Sequence, residues 1–211
     1  MKLHHASLSV LLLFASALPA SGQPARQGEQ TASDDVPAAT AQRARNVAER
    51  SAQLRGFLAE ARTIFIGVDI IRRKAGDREL TPLYRVQHYR YADDTVITSV
   101  VDLEAGRVGE QVATRNVPVR LTEGEFAEAR ALALADRRVT AAVGQYRERL
   151  VVEPLLVRTL DRSDPWFGRR IVRLLFRVGT NYMSRPLVYV DLTGRQVIIE
   201  EGHGPREGDR Q

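Results

Sequence analysis

The sequence predicts an α+β protein in which an antiparallel sheet packs on one or two helices. Three observations lead there. Runs rich in β-branched and aromatic residues flank a central helical stretch, at 64–103 and 151–200. The central stretch opens on Thr122-Glu123-Gly124-Glu125, a capping box, so a helix starts there. Two segments, VVDLEAGRV at 100–108 and VYVDLTGRQV at 188–197, share the plan of strand, Asp-Leu, glycine turn, strand. Asp favours turns, and Gly supplies the positive φ of a tight hairpin.

Taken in order, residues 41–62 carry Val47, Leu54, Leu58 and Ala61 at helical spacing and contain no proline. One helix is expected. In TIFIGVDIIRR the residues Ile64, Ile66, Val68 and Ile70 alternate, which predicts a strand with one buried face. Strands follow at 83–91 and 95–103, divided by an Ala92-Asp93-Asp94 turn, and at 108–119, where Pro118 stands near the end. The capped helix runs to about Asp136, with Phe126, Ala129, Ala133 and Leu134 sharing a face on which Arg130 intrudes. A second helical run carries Val139, Val143, Tyr146 and Leu150. Strands at 151–160, 170–178 and 187–200 close the domain, the last folded on itself at Thr193-Gly194. The two similar hairpins support a β-meander in one sheet.

The ends differ from the middle. Residues 1–22 have a polar start (Lys2, His4, His5), a short apolar run from Leu8 to Leu18, then Ala20, Ser21 and Gly22. This predicts a secretory signal cleaved near Gly22, and hence a secreted or periplasmic protein. The run is too short for a transmembrane helix, and no later run approaches membrane length, so no membrane span is expected. Residues 23–40 read as a flexible linker, 41–201 as the folded domain and 202–211 as a disordered tail.

Composition narrows the chemistry. The chain has no cysteine, so an exported domain of this size relies on its core rather than on disulfides, and it offers no thiol nucleophile. The net charge of +5 is almost entirely arginine, spread along the chain among Asp and Glu. Nucleic-acid binding calls for a clustered basic patch with aromatics between, so no nucleic-acid partner is expected.

Six segments follow one another along the chain: VVDLEAGRV at 100, LTEGEFAEA at 121, LADRRVTAAV at 134, DPWFG at 164, NYMSRPL at 181 and VDLTGRQV at 190. In this order they resemble the N-terminal (second/third) domains of copper amine oxidases, the third in particular. Together they cover roughly 64–199. Departures are Met183 where the family has Tyr, Ser184 for Ala and Arg137 for Pro. The resemblance implies a cystatin-like fold and a domain that packs against a larger catalytic one without itself catalysing. It also marks Asp164, Pro165, Trp166, Asn181, Arg185 and Pro186 as candidate structural or partner-contact residues.

Catalysis is not expected from this chain. The quinone of that family forms from the Tyr of an Asn-Tyr-acidic motif, whereas Met183 follows Asn181-Tyr182. A copper site needs three His, and only His88 and His203 remain after the signal. No metal or cofactor is expected on those grounds. His88 reads as a surface or half-buried strand residue. Asp93-Asp94 and Glu200-Glu201 read as solvated charges, since adjacent acids in a strand point to opposite faces. Trp166 reads as a core anchor and Arg185 as a donor to a backbone carbonyl or carboxylate inside the fold rather than to a ligand. The expected role is an exported non-catalytic binding or assembly module. Its partner would be an exported protein or an amine oxidase-like catalytic chain. Alternatives are a PepSY or cystatin-like inhibitor or propeptide-type domain, and an accessory subunit of a copper/quinone amine oxidase supplied by another chain.

Overall fold

The computed structural model describes residues 36–200. The expected signal, most of the linker and the tail lie outside the described residues. Within them the chain is α+β and follows one plan twice. In the first half, helices α1 (Ala38–Glu49) and α2 (Ala52–Glu60) lead into strands β1 (Thr63–Ala75), β2 (Arg78–Arg90), β3 (Thr95–Asp102) and β4 (Arg107–Arg115). In the second, α3 (Glu123–Ala135), α4 (Arg137–Val143) and a short 3-10 turn lead into β5 (Leu150–Val157), β6 (Ile171–Val178), β7 (Asn181–Tyr182), β8 (Leu187–Asp191) and β9 (Gln196–Glu200). The first sheet has the order β1-β2-β3-β4 and the second β5-β6-β8-β9, with the two-residue β7 paired to β6. All pairings are antiparallel.

There are two sheets where the sequence suggested one. After β4 the chain runs through Val117 and Val119 into the shared core instead of turning back to pair. The sheets therefore meet through side chains, not edge to edge. The repeated hairpins fall at matching places, β3 to β4 and β8 to β9. In both, the Asp carboxylate closes the turn. Asp102 Oδ1 accepts from the amides of Glu104 and Ala105 at 3.0 and 2.9 Å, and Asp191 Oδ1 from those of Thr193 and Gly194 at 2.9 and 3.2 Å. The positive φ is met differently: Gly106 takes it in the first (64°), Arg195 in the second (54°). Gly194 is small for another reason. A Cβ there would lie 2.8 Å from the Arg169 guanidinium and 3.1 Å from the Asp191 carboxylate.

Two apolar cores result. One lies between α1, α2 and the first sheet, built from Ala44, Ala48, Leu54, Phe57, Val86 and Ile97. The larger joins both halves: Tyr89, Tyr91 and Val96 from the first sheet, Ala129, Ala133, Val139 and Val143 from α3 and α4, and Leu174, Phe176, Val188 and Val190 from the second. Strand β1 serves both. Its register slips between Phe65 and Gly67, leaving Ile66 as an extra residue. A one-residue bulge moves every following side chain to the other face. Ile64 and Ile66 thus enter the shared core while Val68 enters the helical one. The simple alternation read from the sequence is broken at this point.

The expected single helix over 41–62 is two helices. Ser51 takes an extended conformation and its hydroxyl accepts from the Leu54 amide at 3.2 Å, capping α2. Helix α1 also starts earlier, at Ala38. The capping box is present as read: Thr122 Oγ1 accepts from the Glu125 amide at 3.1 Å, and Glu125 Oε2 accepts from the Thr122 amide at 2.9 Å. Arg130 is exposed, beside the buried Ala129 and Ala133. Thr122→Ala is expected to cost about 1 kcal/mol, the usual loss for a removed cap, measurable by urea unfolding.

Candidate partner-contact face and the buried ionic cluster

Burial of charge organises this molecule. Arg170 and Glu125 are both fully buried and face each other in a two-pronged pair, Nε to Oε1 at 2.9 Å and Nη2 to Oε2 at 3.0 Å. Arg170 also donates to the carbonyls of Val119 (3.0 Å) and Arg120 (2.7 Å) and lies 5.0 Å from the Tyr89 ring centroid. Glu125 further accepts from the Tyr91 hydroxyl at 2.9 Å. The cluster ties the start of α3, the second strand of one sheet and the first residue before β6 of the other. Burial alone would raise the Glu125 carboxyl. Arg170, the Thr122 amide and Tyr91 outweigh it and hold it below its ordinary value. The capping box pointed to Glu125, but nothing in the sequence paired it with Arg170, 45 residues away.

Other charges are spoken for in the same way. Asp94, expected to be solvated, is fully buried with φ 50° and is paired with Arg158 (Oδ2 to Nη2 2.6 Å). Its backbone carbonyl holds the Asn116 amide at 3.0 Å, so the turn is fixed from both sides. Asp93 pairs with Arg90 and Arg115, each at 2.9 Å, and Arg90 in particular holds its carboxyl at about 2. Asp191 is buried against Arg169. His88 is buried too, contrary to the surface or half-buried reading. Its Nε2 lies 3.1 Å from Glu49, and its ring packs at a tilt against Phe65, centroids 5.4 Å apart. Burial is the main reason its pKa is lowered, with Glu49 opposing.

These groups set an expected acid limit. A buried His with a lowered folded pKa leaves stability intact above the unfolded value of 6.5 and erodes it as pH falls below that, because only the unfolded chain gains the proton. Glu125 adds stability above its unfolded value of 4.5, lost as pH falls through its lower folded value. Urea unfolding across pH is expected to show a shallow decline below 6.5 and a steeper one below 4.5. His88→Gln is expected to remove the shallow leg alone.

The candidate contact residues lie on and around the outer face of the second sheet. Asp164 closes the DPW turn: its carboxylate accepts from the Trp166 amide at 2.7 Å and its carbonyl from the Phe167 amide at 2.9 Å. Pro165 is exposed. Trp166 belongs to neither core. It is half-buried and packs on Tyr189 of β8, ring centroids 4.8 Å apart. The core-anchor expectation is corrected to an outer-face anchor, because Tyr189 points opposite to Val188 and Val190. Asn181 is exposed in β7, opposite Val178. Arg185 is exposed and donates to the Glu200 carbonyl at 3.3 Å. The Arg185–Pro186 peptide is cis, and Pro186 is half-buried. The DPW turn and the 181–186 loop flank opposite ends of this face, and no hydrogen bond or ion pair joins them among the described residues.

Helices α3 and α4 cover only the inner face, which carries Val172, Leu174 and Phe176. Across the outer face one rung runs Leu155, Arg173, Tyr189, Ile198, and another joins Val151, Arg177 and Tyr182. Leu155 and Tyr182 are 49% and 57% exposed. Glu153 fixes that end, accepting from Tyr182 at 2.6 Å and Arg177 at 2.9 Å. The sequence reading named Asn181 and Trp166 as contact candidates, weighed Tyr182 only as a quinone precursor and did not name Leu155 or Arg173, because alternation does not say which face a helix will cover.

The fold and this face define an α+β protein of two helix-backed antiparallel sheets, one with an open outer surface. The chain matches no protein-family model and no curated protein. Among the described residues no helix is long and apolar enough to cross a membrane, and no group of three or more His, Asp or Glu side chains gathers to hold a metal.

Proposed function

We propose that this protein is an exported, non-catalytic binding or assembly module whose contact surface is the outer face of the second sheet. The observation carrying this reading is the contrast between the two faces. The inner face is packed against α3 and α4, whereas the outer one has no helix over it and presents Val151, Leu155 and Tyr182 to solvent beside Trp166 and Arg173. Aromatic and Arg side chains around exposed aliphatic ones are the usual make-up of a protein-binding patch. The Asp and Glu side chains best placed for acid–base work are engaged by arginines inside the fold, which fits a scaffold role. The resemblance of VVDLEAGRV, DPWFG and NYMSRPL to copper amine oxidase N-terminal domains adds a partner class, an exported amine oxidase-like catalytic chain.

The test is co-purification from the native exported fraction with the wild type and with Leu155→Glu/Tyr182→Ala. Both positions are exposed, so folding is expected to be retained, as circular dichroism would verify. A stoichiometric partner held by the wild type and released by the variant is expected. Recovery of this chain alone, or equal retention by the variant, overturns the assignment of the face. Amine-dependent peroxide release by the homogeneous chain overturns the non-catalytic reading.

A further inference from the structure

We infer that the cavity between α3, α4 and β5 is a binding site for a small apolar carboxylate, such as a medium-chain fatty acid. This rests on the cavity alone and not on the outer-face reading. The cavity measures about 500 Å³, within the usual range for small-molecule sites. Its apolar wall comes from Leu134 of α3, Val143 of α4, and Leu150 and Val152 of β5. Val143 is 2% exposed, so this wall is continuous with the shared core. Arg130 and Arg147 also line the cavity. Both side chains belong to exposed residues, and neither has an ion-pair partner among the described residues. That separates them from the arginines facing Glu125, Asp94, Asp93 and Asp191, which are paired.

A cavity lined by four aliphatic side chains and two arginines selects for a ligand with a hydrocarbon body and one anionic head. A carboxylate suits them because guanidinium presents paired N–H donors that match its two oxygens. A purely apolar ligand would leave the guanidinium groups unused, and a large polyanion would not fill the apolar wall. Thr140, which also lines the cavity, is engaged through its hydroxyl with the Asp136 and Arg137 carbonyls at 3.1 Å each, so it presents its methyl side as further wall. A second depression of about 470 Å³ shares Gly144 and Arg147 and has the polar backbone of 144–149 around it. Arg147 therefore stands at the boundary between the apolar chamber and a wet one, where a headgroup would sit.

The experiment is isothermal titration of the full chain with sodium decanoate, kept below its micellar concentration, with decanol as the uncharged arm and N-acetyl-Leu-Leu as a peptide carboxylate arm. Saturable one-to-one decanoate binding that decanol does not match is expected. Arg130→Gln/Arg147→Gln is expected to weaken it at least about tenfold, since charge-assisted hydrogen bonds are lost. Gly144→Phe is expected to weaken it at least as much, because Gly144 lines the cavity, a Cβ there meets nothing within 4 Å and its φ of -58° suits any residue, so a ring is added at the site without backbone strain. Equal unfolding midpoints for the three proteins would show the variants intact. Absence of saturable decanoate binding, binding unchanged in either variant, or binding of the dipeptide alone would each overturn the inference.

Discussion

Arg170→Met is expected to destabilise the protein by about 3–5 kcal/mol, the loss typical when one partner of a buried ion pair is removed. The reason is the fate of what remains. Glu125 is fully buried, and its carboxylate would keep only the Tyr91 hydroxyl and the Thr122 groups as donors. The Val119 and Arg120 carbonyls would lose their donors in the same step. A domain of this kind has about 5–15 kcal/mol of total stability, so the variant stands near the limit of folding. A fall of roughly 10 °C in melting temperature is expected. Adding Glu125→Gln removes the stranded charge while keeping an acceptor for Tyr91, so the double variant is expected to lose less than the two single losses added together. Strict additivity, or a single-variant loss below about 1 kcal/mol, would show that the pair does not hold the halves together.

Phe176→Ala is expected to cost about 3–5 kcal/mol by a different route, the loss of apolar burial together with a cavity that its neighbours cannot fill. Phe176 is 2% exposed in the shared core, opposite Val152 of β5, and its carbonyl receives the Met183 amide at 2.8 Å. Val112→Ala on the exposed edge strand β4, with Val112 45% exposed, is the control and is expected to stay within about 0.5 kcal/mol. Guanidinium unfolding midpoints for the pair would separate core packing from strand propensity. Equal effects would mean that the second sheet does not pack on the first as described.

Local features were legible because their causes are local. Thr122 and Glu125 cap α3 through groups three residues apart, so the motif contains its own partners. The Asp-Leu-x-x hairpins close through an Asp and amides two and three residues on. The strands around Leu83, Thr95 and Leu187 follow from β-branched and aromatic runs. The break at Ser51 was less legible, because helical spacing continues across it and only the capping hydroxyl marks the end. The bulge at Ile66 was hidden for a related reason. Alternation looks perfect through TIFIGVDI, and only pairing with β2 reveals the extra residue.

Site residues divide the same way. The turn at Asp164 and Trp166 was legible because it is a short segment with its own hydrogen bond. Their place on the outer face was not, since that depends on Tyr189 across the sheet. His88 and Asp94 were read as half-buried or solvated because their partners, Glu49 and Arg158, lie 39 and 64 residues away.

The sequence by itself determined the α+β class, the capped helix, the hairpins and the order of strands, because each depends on side chains and backbone within a few residues of one another. Tertiary structure alone decided that there are two sheets and two cores, that Arg170 meets Glu125, and that one face of the second sheet stays open. The physical reason is that burial makes a charge tolerable only beside its opposite, and which charges are buried together is set by how distant segments pack.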